Sequence, residues 1–278
     1  MMKQYICVNF YRNLQYAKVE NKVLTMDLYV PQSDCTKAPV VLWIPQGGGL
    51  SRAHMSYGPP MGLVERGYAI AKIDYRMSYE AIFPASIQDC KTAVRFLKAH
   101  AGQFGLDANR VGSMGESVGG YLSLMMGLVS NKPEYETELY SQCSSEIIAV
   151  CDIYGPSNFL TMGQQEKKGF SIIDHNAPDS PESKFLGGPV LENKDKAMKA
   201  SPIAYIKSGS NKIPPIIIFH GDKDPCVPYE QSVEIYDALK SIGADVSFYT
   251  IPGGDHSLEF FPEFEQKIID FFDKNMKS

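Results

Sequence analysis

The feature that most constrains this chain is the stretch over residues 111–120, which reads Val-Gly-Ser-Met-Gly-Glu-Ser-Val-Gly-Gly. Apolar residues predict a strand before its turn and a helix over 121–129, and the turn itself matches the pattern G-x-S-x-G. A strand, a sharp turn and a helix in this order form the context of a nucleophile elbow, which raises the Ser117 hydroxyl above the sheet. Gly115 and Gly119 permit such a tight turn because glycine has no Cβ to collide with the neighbouring backbone.

The pattern G-x-S-x-G is common, so the alternative is a glycine-rich turn between a strand and a helix with an incidental serine. The two interpretations differ in what they require elsewhere in the chain. A serine hydroxyl becomes nucleophilic when a base removes its proton, and that base needs an acid to hold its tautomer. The residues beyond the elbow therefore decide between the two interpretations.

The order of the other segments predicts an α/β fold. Strands are predicted over 5–10, 22–30, 40–44, 68–74, 110–114, 147–153, 216–219 and 246–251, and helices over 58–67, 84–99, 121–129, 228–243 and from 262 onward. The first two strands alternate apolar and polar residues, as antiparallel strands do, whereas 40–44 is apolar throughout, as in a strand covered on both faces. This order predicts a mostly parallel central sheet with helices on both faces, led by antiparallel strands.

Residues 157–212 interrupt the alternation of strands and helices. They are rich in Gly, Pro, Ser, Asn and Lys, and a stretch this long between core elements is usually functional. We therefore expect a cap-like insertion over the cleft, some of whose apolar residues line the acyl or alcohol pocket. Its main apolar residues are Phe159, Phe170, Ile172, Ile173 and Phe185. The alternative is that these residues only attach the insertion to the domain. A chain of 278 residues can bury one large core, so we predict a single domain over 1–278 that includes the insertion.

Composition excludes several classes of partner. The 27 Lys and Arg residues against 32 Asp and Glu leave a formal net charge of −5, which gives no support for a nucleic-acid or anionic-membrane partner. No apolar segment approaches the length of a membrane span, and the N-terminus lacks the apolar region of a signal peptide, so a cytoplasmic location is predicted. The six cysteines, at 7, 35, 90, 143, 151 and 226, lack metal-like spacing, and we expect no metal and no required disulfide.

A base and an acid follow Ser117 in the chain, each directly after a predicted strand. The segment 220–224 reads His-Gly-Asp-Lys-Asp, and the segment 253–256 reads Gly-Gly-Asp-His. The order Ser, Asp, His at strand ends is that of the α/β-hydrolase triad, and ligands of open α/β sheets bind at the carboxyl ends of strands. We therefore predict Ser117, Asp224 and His256 as the catalytic residues.

Other polar residues compete for these roles. Asp222 competes with Asp224 for the acid role, and Asp224 is favoured while Asp222 is expected to cap a loop. We expect His220 to be a structural hydrogen-bonding residue and Asp89, inside a helical stripe, to be a buried partner of Arg76. The remaining histidines, His54, His100 and His175, do not follow predicted strands.

The oxyanion of an acyl transfer needs two N–H donors that are in place before the reaction. The N–H of Val118 lies at the N-terminus of the predicted helix after the elbow, where negative charge is favoured. The second source is the glycine run 47–49 after the strand 40–44, because glycine lets the backbone approach the acyl oxygen closely. We predict the amides of Gly47, Gly48 and Val118 as the oxyanion hole.

With these residues in place, the chain resembles the esterase and lipase branch of the α/β-hydrolases that carries an HGGG oxyanion loop. Within that branch it is similar to bacterial carbohydrate esterases such as feruloyl and acetylxylan esterases. The residues that carry the resemblance are 43–49, 74–76, 83–85, 115–121, 153–156, 220–228 and 254–256. One departure is Gln46, which stands where the family usually has the histidine that orients the glycine loop.

The resemblance implies a serine carboxylesterase without metal or cofactor that removes acetyl or hydroxycinnamoyl groups from a small-molecule or oligosaccharide ester. A serine peptidase and an arylformamidase of the same fold are alternatives. An inactive hydrolase fold that acts as a binding protein is a further alternative, which the Gln46 departure keeps open. The sequence leaves the oligomeric state open, with a homodimer as one alternative.

Overall fold

The computed structural model describes residues 7–32, 37–47, 60–130, 132–206, 213–257 and 262–277. Its apolar segments lie side by side in an eight-stranded sheet with the order β1-β2-β4-β3-β5-β6-β7-β8. The strands are β1 (Val8–Val19), β2 (Lys22–Pro31), β3 (Ala38–Ile44), β4 (Ala69–Ile73), β5 (Leu106–Glu116), β6 (Val150–Ile153), β7 (Ile216–Gly221) and β8 (Val246–Ile251). All pairs from β4 to β8 are parallel, whereas β1 and β2 join the sheet antiparallel, which confirms the predicted topology.

The first strand is longer than its sequence pattern predicts. It continues to Val19 rather than ending at residue 10, and its pairing with β2 shifts register between Tyr11 and Leu14 and again between Gln15 and Ala17. Each shift changes the face to which the following side chains point. The simple alternation of apolar and polar residues is lost at these points, and this hid the second half of the strand.

Helices cover both faces of the sheet. They are α1 (Met61–Glu65), α2 (Ala85–Ala99), α3 (Ala101–Phe104), α4 (Val118–Leu128), α5 (Met162–Gln165), α6 (Pro181–Leu186), α7 (Lys194–Ala200), α8 (Glu230–Ser241) and α9 (Pro262–Met276). Within the described ranges, short 3-10 turns lie at Pro133–Tyr135, Val190–Glu192 and Pro202–Tyr205. Among the residues the structure describes, no helix combines the length and apolar character needed to cross a bilayer.

Strand β3 contributes side chains to two buried clusters, one on each face of the sheet. Val40, Leu42 and Ile44 join the buried cluster that contains α2, α4 and α8, whereas Val41 and Trp43 join the cluster under α1 and α9. Successive side chains of a strand point to opposite faces, so a continuous apolar run is required where both faces are covered. The prediction that 40–44 is buried on both sides is confirmed.

The register of the parallel strands brings the loops that carry the candidate residues to one edge. Ile44 pairs with Gly115, Glu116 pairs with Ile153, and Gly221 pairs with Ile251. The loops that follow β3, β5, β7 and β8 therefore leave the sheet at neighbouring positions, where ligands of open α/β sheets bind.

The described part of the insertion, residues 157–206, packs on this edge of the sheet. The side chain of Gln231 in α8 accepts the backbone N–H groups of Ser157 and Asn158, at 2.8 and 2.7 Å. Phe159 and Phe185 belong to the same buried cluster as α2 and α4. These two apolar residues of the insertion thus join the core beneath it.

Candidate active site

Ser117 occupies the sharp turn between β5 and α4. Its backbone has φ 55° and ψ −120°, a region that residues other than glycine rarely adopt. The conformation is held because the N–H of Ser117 donates to the carbonyl of Ile153 at 2.8 Å, and the N–H of Tyr121 donates to the carbonyl of Ser117 at 3.0 Å. This strained serine at a strand-to-helix turn is the geometry of a nucleophile elbow.

Close packing around the turn explains the two glycines of the motif. A Cβ on Gly119 would lie 2.0 Å from the carbonyl oxygen of Ile44, and a Cβ on Gly115 would lie 2.4 Å from the carbonyl carbon of Gly119. Backbone atoms of a buried strand cannot move aside for a side chain. The start of α4 therefore rests directly on the end of β3, which leads into the predicted oxyanion loop.

Asp224 and His256 come together across the loops that follow β7 and β8. Nδ1 of His256 lies 2.6 Å from Oδ2 of the buried Asp224. The other oxygen of Asp224 accepts the backbone N–H groups of Cys226 and Val227, at 2.7 and 2.9 Å. With Nδ1 donating to a carboxylate held in this way, Nε2 of His256 is left as the basic nitrogen. The ring of Tyr154 packs against the imidazole, with centroids 4.3 Å apart.

The charge of Asp224 is strongly stabilised. Burial alone would raise the pKa of Asp224, but hydrogen bonds from His220 and His256 outweigh burial and hold the pKa well below its usual range. Nε2 of His220 lies 3.2 Å from Oδ2 of Asp224. The carboxylate therefore stays ionised at neutral pH, as a partner of a histidine base must.

Ser117 and His256 open into one cavity of about 540 Å³. Gln46, Gly47 and Val118 also line it, so two of the three predicted oxyanion residues face the same space as the serine. Gly48, the third, lies outside the described residues. Much of the remaining wall is apolar and is formed by Tyr121, Pro156, Phe159, Ile172, Ile173, Pro181, Phe185 and Val227. The hydroxyl of Tyr75 donates to the carbonyl of Pro45 at 2.8 Å and so supports the start of the glycine loop.

Three predicted structural roles are confirmed by contacts. Oδ1 of Asp222 accepts the N–H of Gly253 at 2.7 Å, so this residue caps a loop rather than contacting His256. His220 is buried, with Nδ1 2.7 Å from the hydroxyl of Ser232 and Nε2 3.1 Å from the carbonyl of Val227. Asp89 forms a buried ion pair with Arg76, with Oδ1 2.7 Å from Nη2.

One cluster in the described chain has the donor types of a metal site. Ligand atoms of Asp224, Cys226 and His256 lie within 4.8 Å of one another. Both oxygens of Asp224 already accept N–H groups, and burial, together with Asp224 and Asp255, raises the pKa of the Cys226 thiol to about 11. A metal would have to displace the proton of this thiol, and the raised pKa makes that displacement more costly. The donor set thus fits a hydrogen-bonded acid–base pair better than a metal centre.

The structure adds two polar features that sequence reasoning missed. His175 and Glu182 lie inside the insertion, are largely buried, and line the cavity. Asp152 is fully buried in β6, where Oδ1 accepts the N–H of Gly155 at 2.9 Å beneath the first turn of α4. The sequence could have indicated Asp152, because it is a carboxylate inside an otherwise apolar strand. It gave no indication of His175, which follows no predicted strand.

Burial raises the pKa of Asp152 to about 8. A carboxyl whose pKa is raised by folding stabilises the folded state below its unfolded pKa, and this contribution is lost as pH rises through the folded pKa. Asparagine does not titrate, so the unfolding free energy of Asp152→Asn should increase relative to that of the unmodified chain as the pH rises from about 4 to about 8. The increase should be at most about 1.4 kcal/mol per pH unit. Urea unfolding at pH 5, 7 and 9 measures this difference.

Asp195→Asn, at an exposed position of the insertion, is the control and should show no such trend. A difference in unfolding free energy between Asp152→Asn and the unmodified chain that stayed constant from pH 5 to pH 9 would contradict the raised pKa.

The chain is similar to known esterases. It is 29% identical over 225 residues to esterase LipC of Mycobacterium tuberculosis, which covers 80% of this chain and 53% of LipC. It is 27% identical over 240 residues to the isoprenylcysteine alpha-carbonyl methylesterase ICME of Arabidopsis thaliana, which covers 84% of this chain and 53% of ICME. The chain therefore spans about half the length of these curated relatives.

A solved structure described as a truncated form of a carbohydrate esterase from gut microbiota superimposes with a TM-score of 0.84, at 28% identity and over 97% of each chain. This likeness and the observed sheet confirm the predicted α/β-hydrolase fold. The family model BD-FAE matches residues 26–239, which is more than half of the chain and includes Ser117 and Asp224. The chain therefore belongs to the BD-FAE family of α/β-hydrolases.

Proposed function

We propose that this chain is a serine carboxylesterase that hydrolyses small acyl esters through an acyl-serine intermediate. The observation that carries the proposal is one shared cavity. It is lined by a strained serine and by a histidine that is paired with a buried carboxylate. The similarity to esterases from three sources adds support.

In the proposed mechanism, Ser117 Oγ attacks the ester carbonyl carbon while Nε2 of His256 takes the hydroxyl proton. The tetrahedral intermediate collapses as His256 gives this proton to the leaving alcohol, and an acyl-serine remains. Water then attacks the acyl carbon, again with His256 as base, and the acid product and free Ser117 result. Asp224 keeps the proton of His256 on Nδ1 and stabilises the imidazolium that forms.

The proposed oxyanion hole consists of the amides of Val118, Gly47 and Gly48. Val118 begins α4, and the free N–H groups of a helix N-terminus favour negative charge. Gly47 is supported by its position on the cavity wall. It follows β3, which lies on one side of β5 in the sheet, whereas the loop after β7 with Asp224 (the acid loop) and the loop after β8 with His256 lie on the other side. No metal or cofactor takes part in this mechanism.

We propose small acyl groups on sugars, acetyl or hydroxycinnamoyl, as the substrate class. Tyr121, Phe159 and Phe185 pack against one another with centroids 5.4 to 5.9 Å apart and give the cavity an aromatic wall. Such a wall suits a planar acyl group. The likeness to a carbohydrate esterase supports a sugar as the alcohol.

The single domain over 1–278, with 157–212 as a cap over the cleft, is likewise a proposal. Four of the five apolar residues expected to contribute do line the cavity, and only Phe170 does not. The cytoplasmic location and the absence of nucleic-acid and membrane partners stay predictions from the sequence, as does the homodimer alternative.

The test is to assay the chain and its Ser117→Ala variant side by side on p-nitrophenyl esters of rising chain length, acetylated xylan and methyl ferulate. The p-nitroanilides of the same acyl groups test for a peptidase, and a formylated arylamine tests for an arylformamidase. We expect ester hydrolysis that depends on Ser117 and exceeds hydrolysis of the matched amides. A purified chain that binds these esters without turning them over would favour the inactive binding protein.

The contribution of the insertion to selectivity is tested by two substitutions. Ile173 lines the cavity, whereas the neighbouring Phe170 is 38% exposed and lies away from it. Ile173→Ala should change the ratio of kcat/KM between short and bulky acyl esters by about tenfold or more, because a pocket contact alters discrimination by about 1–3 kcal/mol. Phe170→Ala is the matched control and should leave the ratio unchanged. If Ile173→Ala lowered thermal stability alone, the residue would only fasten the insertion.

A further inference from the structure

The cavity contains one pair of ionisable residues that the proposed mechanism does not use. His175 is 2% exposed and Glu182 is 8% exposed, and both line the cavity. Nδ1 of His175 lies 3.1 Å from Oε2 of Glu182. The pair sits in a largely apolar wall, where removing two charges from water costs several kcal/mol per ion and ion pairing returns little net stability. Stability alone therefore gives a weak reason for the pair.

The remaining contacts of the pair fix its position. The backbone N–H of His175 donates to Oε1 of Glu166 at 2.6 Å, and Nε2 of His175 lies 3.0 Å from the carbonyl of Cys226. Burial would lower the pKa of His175, but Glu182 and Glu166 outweigh burial and raise it. The raised pKa favours the imidazolium form, whose charge faces the carboxylate of Glu182.

Unused hydrogen-bonding capacity remains at the centre of the pair. Within the described residues, neither Nδ1 of His175 nor Oε2 of Glu182 makes a hydrogen bond of good geometry, although the two atoms are close. The ion pair offsets the two charges, but it leaves both atoms without a well-directed hydrogen bond, and native proteins leave few buried polar atoms in that condition. A ligand hydroxyl can supply what is missing, because it donates to a carboxylate and accepts from an imidazole N–H at the same time.

The pair lies on the His256 side of the cavity. The insertion contacts the acid loop twice here, since the N–H of Ile172 donates to the carbonyl of Pro225 at 3.0 Å and His175 contacts Cys226. Ligand atoms of Cys226 in turn lie within 4.8 Å of those of His256. His256 delivers the proton to the departing alcohol, so groups beside it face the alcohol portion of an ester rather than its acyl group.

We propose that His175 and Glu182 bind hydroxyl groups of the alcohol portion of the substrate, so that the site prefers esters of polyhydroxylated alcohols such as sugars over esters of plain alcohols. This inference rests on the proposed esterase function and names the residues that recognise the alcohol portion of the ester. A donor beside an acceptor matches two neighbouring hydroxyls of a sugar ring. Charged partners make such hydrogen bonds stronger than neutral ones.

The test compares two acetates that differ in the hydroxyls of the alcohol. One is a methyl xyloside with a single acetyl group, and the other is cyclohexyl acetate, which has a similar ring without hydroxyls. Glu182→Gln and His175→Gln should lower kcat/KM for the xyloside ester by about tenfold to a hundredfold and leave kcat/KM for cyclohexyl acetate within about twofold. The glutamine at 175 can keep the contact with the Cys226 carbonyl while removing Nδ1.

Glu192→Gln is the matched control, because it makes the same change at an exposed position of the same insertion. Thermal unfolding of each variant identifies loss of fold, and each of the two pair variants tests the proposal separately. Equal loss on both acetates, or no loss on either, would overturn the proposal and leave the esterase function intact. If the pair variants instead lowered kcat/KM for methyl ferulate but not for methyl cinnamate, the pair would contact the acyl group. That result would also overturn the proposal.

Direct binding separates this inference from the proposed function. Titration calorimetry of methyl xyloside with the unmodified chain should detect binding that weakens by about tenfold or more in both pair variants but not in Glu192→Gln. If the chain hydrolysed no ester, the esterase function would fail while this measurement still decided whether the pair binds hydroxyls. Binding of equal strength in all of these proteins would refute the proposal whatever the activity.

Discussion

Ser117→Ala is expected to lower kcat for p-nitrophenyl ester hydrolysis by on the order of a millionfold, because no other group then attacks the ester carbonyl. The fold should survive. Alanine keeps the Cβ that Ser117 already places at φ 55°, and the backbone bonds from Ser117 to Ile153 and from Tyr121 to Ser117 remain. Activity and thermal unfolding measured on the same purified sample separate loss of chemistry from loss of structure.

Ser113→Ala provides a matched control for this substitution. Ser113 lies in β5, the strand that leads to Ser117, is fully buried, and its hydroxyl has no hydrogen-bond partner among the described residues. Replacing it with alanine removes no bond, so both activity and stability should stay close to those of the unmodified chain. Activity of Ser117→Ala within tenfold of the unmodified chain would remove Ser117 as the nucleophile and with it the proposed mechanism.

Asp224→Asn is expected to lower kcat by about ten thousandfold, by analogy with acid-to-amide changes in other serine hydrolases. The amide has nearly the same shape as the carboxylate. It can present an N–H to Nδ1 of His256, which would then carry its proton on the wrong nitrogen for accepting one from Ser117. Single-turnover and steady-state rates across the pH range would show a loss in kcat that higher pH does not restore.

Asp222→Asn is the neighbouring control. Asp222 accepts the N–H of Gly253, and an amide oxygen can accept the same bond. We therefore expect less than about tenfold loss of activity. If the two effects were reversed, Asp222 would be the acid, and the 2.6 Å contact between Asp224 and His256 would need another function.

The sequence predicted the elements whose signals are local. G-x-S-x-G between a strand and a helix, and an aspartate and a histidine at later strand ends, depend on residues adjacent in the chain. The structure places these segments at one edge because parallel strands in register end together. Val246–Ile251 coincides with its predicted strand, since it is bounded by turn residues on both sides.

Features that depend on tertiary packing could not be read from the sequence. The second half of β1 was missed because two register shifts break its alternation. His175 and Glu182 are seven residues apart in a segment without periodicity, and they meet only because the insertion folds onto the acid loop. The role of Asp152 depends on how closely α4 approaches β6, which no local pattern encodes.

The contacts of the insertion with the acid loop limit how selectivity can be redesigned. Ile172 and His175 contact the backbone of Pro225 and Cys226, immediately after Asp224. A chimera that received the insertion of another family member would therefore also have altered contacts with the loop that holds Asp224. A donor segment that preserves these two backbone contacts can change the substrate preference without lowering the turnover rate. A donor segment whose length differs between residues 157 and 175 will change substrate preference and turnover rate together.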